Sequence, residues 1–123
     1  MAKRILVVED QVDNRRILRD LLTVNGYELI EAVNGLEGIK KATEEQPDLI
    51  LMDIQLPEVD GYEATRRIRE QNTSNRVPII AVTSYALSGD YQKAIEAGCD
   101  DYISKPYSPR ELLKKIQHIL ADK

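Results

Sequence analysis

Three runs of four apolar residues, Ile5 to Val8, Leu49 to Met52 and Ile79 to Val82, constrain the fold of this chain more than any other feature of its sequence. Each is short, unbroken and bounded by polar residues. A strand with one wet face alternates polar and apolar residues. A continuous run instead marks a strand covered on both faces, the situation in a parallel sheet flanked by helices. The intervening segments have the matching helical spacing: Ile17, Leu18, Leu21 and Leu22 share one face, and Leu112, Ile116, Ile119 and Leu120 share another. The patterns predict strands over 4-9, 27-32, 48-53, 78-83 and 101-104, and helices over 12-25, 35-45, 61-71, 88-97 and 109-121. The expectation is an α/β fold, a doubly wound five-stranded parallel sheet of strand order 2-1-3-4-5.

Local markers support these boundaries. Ser108, Pro109 and Glu111 combine a hydroxyl N-cap, a proline at the first helical position and a glutamate three residues after the cap. Gly26 and Gly98 stand where a left-handed residue ends a helix at least cost. A chain of 123 residues without repeat, linker or low-complexity segment is expected to form one domain over 1-123. Its net charge of -4 provides no basic face for nucleic-acid phosphates. The single cysteine, Cys99, cannot form an internal disulfide, and Met1 to Arg4 lead into a strand pattern instead of a long apolar signal core. A cytoplasmic location is expected. No apolar stretch approaches the roughly 20 residues that cross a bilayer, so membrane insertion is not.

In an open doubly wound sheet, ligands gather beyond the carboxyl ends of the strands where the strand order reverses, here between the first and third. Glu9, Asp10 and Asp53 sit at those two ends, with Thr83 and Lys105 at the ends of the fourth and fifth strands. Adjacent strands lie about 4.8 Å apart, so three carboxylates come within reach of one small ion. Unit charges about 5 Å apart repel by roughly 3 kcal/mol at an effective dielectric near 20. One lysine does not neutralise three carboxylates. A divalent cation does better, and oxygen-only ligands with room for retained water favour Mg2+ over Zn2+ or Cu2+.

Four segments, ILVVED at 5-10, LILMDIQLPEVDGYE at 49-63, PIIAVTS at 78-84 and AGCDDYISKP at 97-106, resemble the receiver domains of two-component response regulators, the CheY-like superfamily. The resemblance covers essentially the whole chain. Its specificity lies in the ordered set of acidic pair, aspartate, threonine and Lys-Pro. In flavour it resembles stand-alone regulators of the DivK cell-division type and receivers attached to hybrid histidine kinases. It implies that Asp53 accepts a phosphoryl group from a phosphohistidine on a histidine kinase or histidine phosphotransfer protein. Asp10 and Asp53 would bind Mg2+ with the main-chain carbonyl of Gln55. Glu9, standing where aspartate is commoner, would hold a metal-bound water, and Lys105 would pair with the phosphoryl oxygens.

The resemblance further implies a switch in which Thr83 moves toward the phosphoryl group and Tyr102 turns into the vacated space. The readout face would comprise helix 88-97, strand 101-104 and helix 109-121, with Tyr91, Lys93, Arg110, Lys114 and Gln117 exposed to a downstream protein. Gln55 and Tyr85 occupy positions that in the family tune hydrolysis of the acyl phosphate, and a bulky Tyr85 would screen attacking water. A cis peptide bond is implied between Lys105 and Pro106. Beside Asp10, the residues Asn14, Arg15, Leu18 and Arg19 are candidates for the surface that docks the donor. The expected protein is a phosphoacceptor that catalyses only its own phosphorylation and dephosphorylation. It would act as a monomer or weak homodimer, without output domain or direct nucleic-acid contact.

Each residue has a plainer explanation when taken singly. An acidic residue after a strand is often an N-cap, Thr83 a strand-end hydroxyl, Lys105 a solvated charge and Tyr102 a core aromatic. Cys99 reads as a small buried residue and His118 as a solvated one. Arg66, Arg67 and Arg69 read as the outer face of an amphipathic helix. Among competing functions, a haloacid-dehalogenase-like phosphatase needs a second acid two residues after its nucleophile, where this chain has Gln55. A flavodoxin-like carrier needs a hydroxyl-rich phosphate loop where this chain has Glu9, Asp10 and Asp13. A scaffold that has lost the chemistry is opposed by all five competent site positions. A relay shuttle and a piece of a hybrid kinase remain alternatives within the preferred class, and Met1 with the tidy C-terminal end favours a stand-alone protein.

Overall fold

The computed structural model describes residues 2-71, 76-84 and 90-121. Strands and helices alternate as β1 (Arg4–Val8), α1 (Val12–Val24), β2 (Glu28–Ala32), α2 (Gly35–Glu45), β3 (Leu49–Asp53), α3 (Gly61–Gln71), β4 (Ile79–Thr83), α4 (Asp90–Ala97), β5 (Asp101–Ser104) and α5 (Pro109–Ala121). The strands form one parallel sheet in the order β2-β1-β3-β4-β5. The expected topology therefore holds.

The three apolar runs occupy the central strands, where both faces are covered. Leu6, Val8, Ile50, Met52, Ile79 and Ala81 pack on one face against Ile39 and Ala42 of α2, Ala64 and Ile68 of α3 and Ala94 of α4. The alternate residues Ile5, Val7, Leu49, Leu51, Ile80 and Val82 pack on the other, against Leu18 and Leu22 of α1 and Leu112, Ile116 and Leu120 of α5. Burial of each large side chain contributes roughly 1.5 to 3 kcal/mol, and together these residues fix which strand ends meet. β2 lies at the sheet edge and carries Glu28 and Glu31, a composition that discourages pairing with another chain.

Helix ends follow the sequence markers. Gly26 and Gly98 have φ of 89° and 113°. Tyr27 N–H donates to Leu22 O and Gly26 N–H to Thr23 O; Cys99 N–H donates to Ala94 O and Gly98 N–H to Ile95 O. Both glycines thus close Schellman motifs, satisfying carbonyls that the helix leaves open. The Ser108 hydroxyl accepts from Glu111 N–H at 3.0 Å, as the cap pattern requires. Asn34 and Asp60 cap α2 and α3 in the same way, accepting from Glu37 and Glu63 N–H at 2.8 and 2.9 Å.

Small departures have local causes. β1 stops at Val8, although Glu9 N–H still donates to Ala32 O at 3.0 Å. β4 starts at Ile79 because Pro78 has no N–H, yet its carbonyl accepts from Ile50 N–H. Residues 88 and 89 of the expected fourth helix lie outside the described residues. The arginines of α3 require a correction. Arg66 and Arg67 face solvent and pair with Glu63, but Arg69 turns inward, with Nε donating to Gly98 O at 2.9 Å and Nη2 to Asp100 Oδ2 at 2.8 Å.

α3 packs very closely on the end of β3. A Cβ on Gly61 would collide with Asp53 O and stand 2.7 Å from the Ile54 Cα. Backbone cannot give way as a flexible side chain can, so Gly61→Ala is expected to lower stability by about 2 to 3 kcal/mol in urea unfolding. A loss below about 0.5 kcal/mol would show that this approach is not tight.

Candidate functional site

Register brings the chemistry to one edge of the sheet. Val8 lies opposite Met52, so Glu9 and Asp53 follow on adjacent strands, while Thr83 lies opposite Ser104 and Lys105 comes next. Glu9, Asp10 and Asp53 each present a carboxylate oxygen within 4.8 Å of the others. Glu9 is 2% exposed and Asp53 5%, so two of the three charges are shielded from water. Lys105 Nζ lies 3.1 Å from Glu9 Oε1 and 3.9 Å from Asp53 Oδ2. The lysine pairs primarily with Glu9, whose extra methylene carries its carboxylate into reach.

Main-chain donors hold the acids in place. Glu9 Oε2 accepts Gln11 N–H at 3.0 Å, and Asp53 Oδ1 accepts Gln55 N–H at 3.1 Å. Burial pushes the Asp53 carboxyl up to about 6, and the neighbouring Glu9 charge adds to the rise while Lys105 opposes it. Negative charge at this edge therefore exceeds what Lys105 neutralises. Clustered oxygen donors of this kind fit a hard divalent cation.

Thr83 is 1% exposed and its hydroxyl accepts from Gln55 Nε2 at 2.7 Å; Gln55 Oε1 in turn accepts from Ser84 N–H at 2.8 Å. The resemblance implies the main-chain carbonyl of Gln55 as a metal ligand and its position as one that tunes hydrolysis, so this side-chain bridge to Thr83 and Ser84 is an addition. Tyr107 was also not singled out: its phenol is pushed up to about 12 by burial and by the charges of Glu9 and Asp53. Its place directly after Lys105 and Pro106 is the signal that marks it. The Lys105-Pro106 bond is cis, as the motif implies. Tyr102 is half-buried on the α2, α3 and α4 side of the sheet and meets the exposed Tyr91 ring edge-on, with centroids 6.1 Å apart. Lys93, Arg110, Lys114 and Gln117 are exposed as expected, and His118 is also exposed. Cys99 is buried and its thiol is pushed up to about 11, chiefly by burial, in keeping with a structural residue. Tyr85 lies outside the described residues.

The docking candidates of α1 divide. Leu18 is 4% exposed within the core and cannot contribute to a surface. Arg15 is turned inward: Nη1 donates to Glu9 O at 2.8 Å, and Nε lies 3.6 Å from Glu31 Oε1. Arg19 grips the same Glu31 through two bonds of 2.8 Å. Asn14 is half-buried, with Nδ2 donating to Glu9 Oε1 over 3.5 Å. Arg15 and Asn14 thus brace the acidic loop.

Residues 5–117 match the family model of the response regulator receiver domain. The chain belongs to the response regulator receiver domain family. This receiver is 44% identical over 122 residues to the polar-differentiation response regulator DivK of Brucella anthropi, covering 99% of both chains. It is 43% identical to DivK of Brucella ovis, again over 99% of each. Among solved structures, it superposes on the receiver domain of the Pseudomonas aeruginosa sensor histidine kinase PA1611 with a TM-score of 0.90 and 39% identity, covering 98% of this chain and 99% of that one. That protein carries a magnesium ion coordinated in its active-site cleft. A CheY-like receiver domain protein from Methanospirillum hungatei superposes with a TM-score of 0.91 and 34% identity, covering 99% and 96%. The family is one of signalling phosphoacceptors. No helix among the described residues is long and apolar enough to cross a membrane.

Proposed function

We propose that this receiver accepts a phosphoryl group on Asp53 from the phosphohistidine of a kinase or phosphotransfer protein and signals by phosphorylation-dependent protein binding. The supporting observation is the convergence of Glu9, Asp10 and Asp53 within 4.8 Å beside Lys105. Asp53 attacks phosphorus through a carboxylate oxygen; the new O–P bond replaces the N–P bond, and the imidazole leaves and recovers its proton. Asp10, Asp53 and the Gln55 carbonyl would hold Mg2+ directly, and Glu9 would do so through water. Mg2+ held there would neutralise charge on the phosphoryl oxygens, which together with positioning is most of what phosphoryl transfer requires. Lys105 is drawn from Glu9 toward the added charge, and Thr83 donates to it.

Tyr102 carries the change to the face made by α4, β5 and α5, where a downstream protein binds. The likeness to DivK over 99% of both chains supports a single-domain regulator; in this reading it works in the cytoplasm as a monomer or weak homodimer. The likeness to the PA1611 receiver supports a second reading, a receiver working within a hybrid-kinase relay. The donor docks over the start of α1, where Val12 and Ile17 are exposed.

Incubation with Mg2+ and acetyl phosphate, followed by intact-mass measurement, tests the assignment. Wild type is expected to gain one phosphoryl group, and Asp53→Asn none. Equal adduct in both would refute the role of Asp53.

A further inference from the structure

We propose that the Gln55 side chain is a positioning residue that latches the end of β4 in its resting position and opposes the movement of Thr83 toward a modified Asp53. This rests on the phosphoacceptor reading of Asp53. Gln55 touches both halves of the site: its backbone N–H donates to Asp53 Oδ1 at 3.1 Å, and its carboxamide spans Thr83 Oγ1 at 2.7 Å and Ser84 N–H at 2.8 Å. A carboxamide supplies a donor and an acceptor from one rigid plane, so both bonds are made together or the plane must turn. The two partners are consecutive residues, Thr83 ending the buried strand β4 and the exposed Ser84 following it, so the backbone that joins them limits how far they adjust separately.

The consequence is a link between loop and strand that ordinary ladder bonds do not provide. A Thr83 hydroxyl that accepts from Gln55 has one lone pair committed, and its rotation is restricted. To approach phosphoryl oxygens on Asp53 it must stretch that bond or carry the carboxamide with it, and the Ser84 N–H resists the second course. Thr83 is 1% exposed, so water does not readily replace the bond to its hydroxyl. Removing two bonds of ordinary strength is expected to shift the balance toward the switched arrangement about fivefold to tenfold.

Two variants of the full chain separate this latch from a general loss of structure. Gln55→Met keeps the length of the side chain and removes both bonds. Gln55→Glu keeps an acceptor for Ser84 N–H and removes the donor to Thr83. In metal-free, unmodified protein, Ser84 amide hydrogen exchange is expected to quicken about tenfold in Gln55→Met and to stay near the wild-type rate in Gln55→Glu. With saturating Mg2+, the beryllofluoride concentration that half-converts the amide signals of β4 and β5 is expected to fall about fivefold in Gln55→Met. Unchanged Ser84 exchange in Gln55→Met would overturn the latch, as would an unchanged or higher half-conversion concentration. Failure of wild type to take up beryllofluoride would instead count against Asp53 as acceptor. The exchange rates, measured without ligand, still decide the latch.

Discussion

Asp53→Asn is expected to make the metal-free protein more stable at neutral pH by about 3 kcal/mol, even though it destroys the proposed acceptor. The folded state raises the Asp53 carboxyl from 3.8 to about 6, first through burial and then through Glu9. A shift of about 2 units at 1.36 kcal/mol per unit gives the magnitude. The folded protein binds this proton more tightly than the unfolded chain does. Stability from this group is therefore complete below about pH 4, declines as pH rises and is lost above about pH 6. Asparagine has nearly the same shape, can still accept Gln55 N–H and carries no charge to desolvate. Urea unfolding in EDTA at about pH 4 and about pH 7.5 should show the gap between variant and wild type opening with pH. A gap that stays constant would mean that Asp53 is not strained by burial. Saturating Mg2+ should narrow the gap, since binding to the folded state stabilises wild type more than the variant.

Arg69→Met should act in the opposite direction and with comparable size, about 2 to 4 kcal/mol of lost stability. The guanidinium of Arg69, from α3, donates to Val77 O ahead of β4, to Gly98 O after α4 and to Asp100 Oδ2 ahead of β5. Asp100 Oδ2 also accepts Ile79 N–H at 2.9 Å, and Arg76 lies 3.1 Å from its other oxygen. One side chain thus joins two connections, α3 to β4 and α4 to β5, at the end of the sheet opposite to the site. Methionine preserves the aliphatic stem and removes every donor, leaving carbonyls and a carboxylate short of partners. Urea unfolding is the direct measure, and Arg69→Met combined with Asp100→Asn should cost less than the sum of the two. A loss below about 0.5 kcal/mol would reduce the strut to an ordinary surface pair.

These two residues also illustrate what a linear sequence conveys. Asp53 was legible because it ends an apolar run: a strand covered on both faces has to deliver its next polar residue to the sheet edge. The same reasoning located Glu9, Thr83 and Lys105, and it located the fold, since β1, β3 and β4 are the runs themselves. Arg69 was not legible. Its neighbours Arg66 and Arg67 do face solvent, and helical periodicity alone does not reveal that the loops after α3 and α4 leave carbonyls waiting beside the next turn. Leu18 failed as a docking residue for a simpler reason, because its own helical face had already assigned it to the core. The inward turn of Arg15 joins Glu9 O to Glu31, a residue on the edge strand β2 whose distance in sequence gives no hint of the pairing. The Gln55 bridge is of the same kind, a contact across two strand ends that only the register of β3 and β4 creates.

The edge-on meeting of Tyr91 and Tyr102 has an optical consequence. The chain has no tryptophan and no phenylalanine, and its near-ultraviolet signal comes from six tyrosines. Two of them form this pair on the proposed output face, and Tyr107 stands within the field of Glu9 and Asp53. Rotation of the Tyr102 ring would alter exciton coupling within the pair, while a change of charge at the acidic edge would alter the absorption of Tyr107. The molecule therefore carries its own chromophores at both ends of the signal path, and near-ultraviolet circular dichroism can follow the two events without a label.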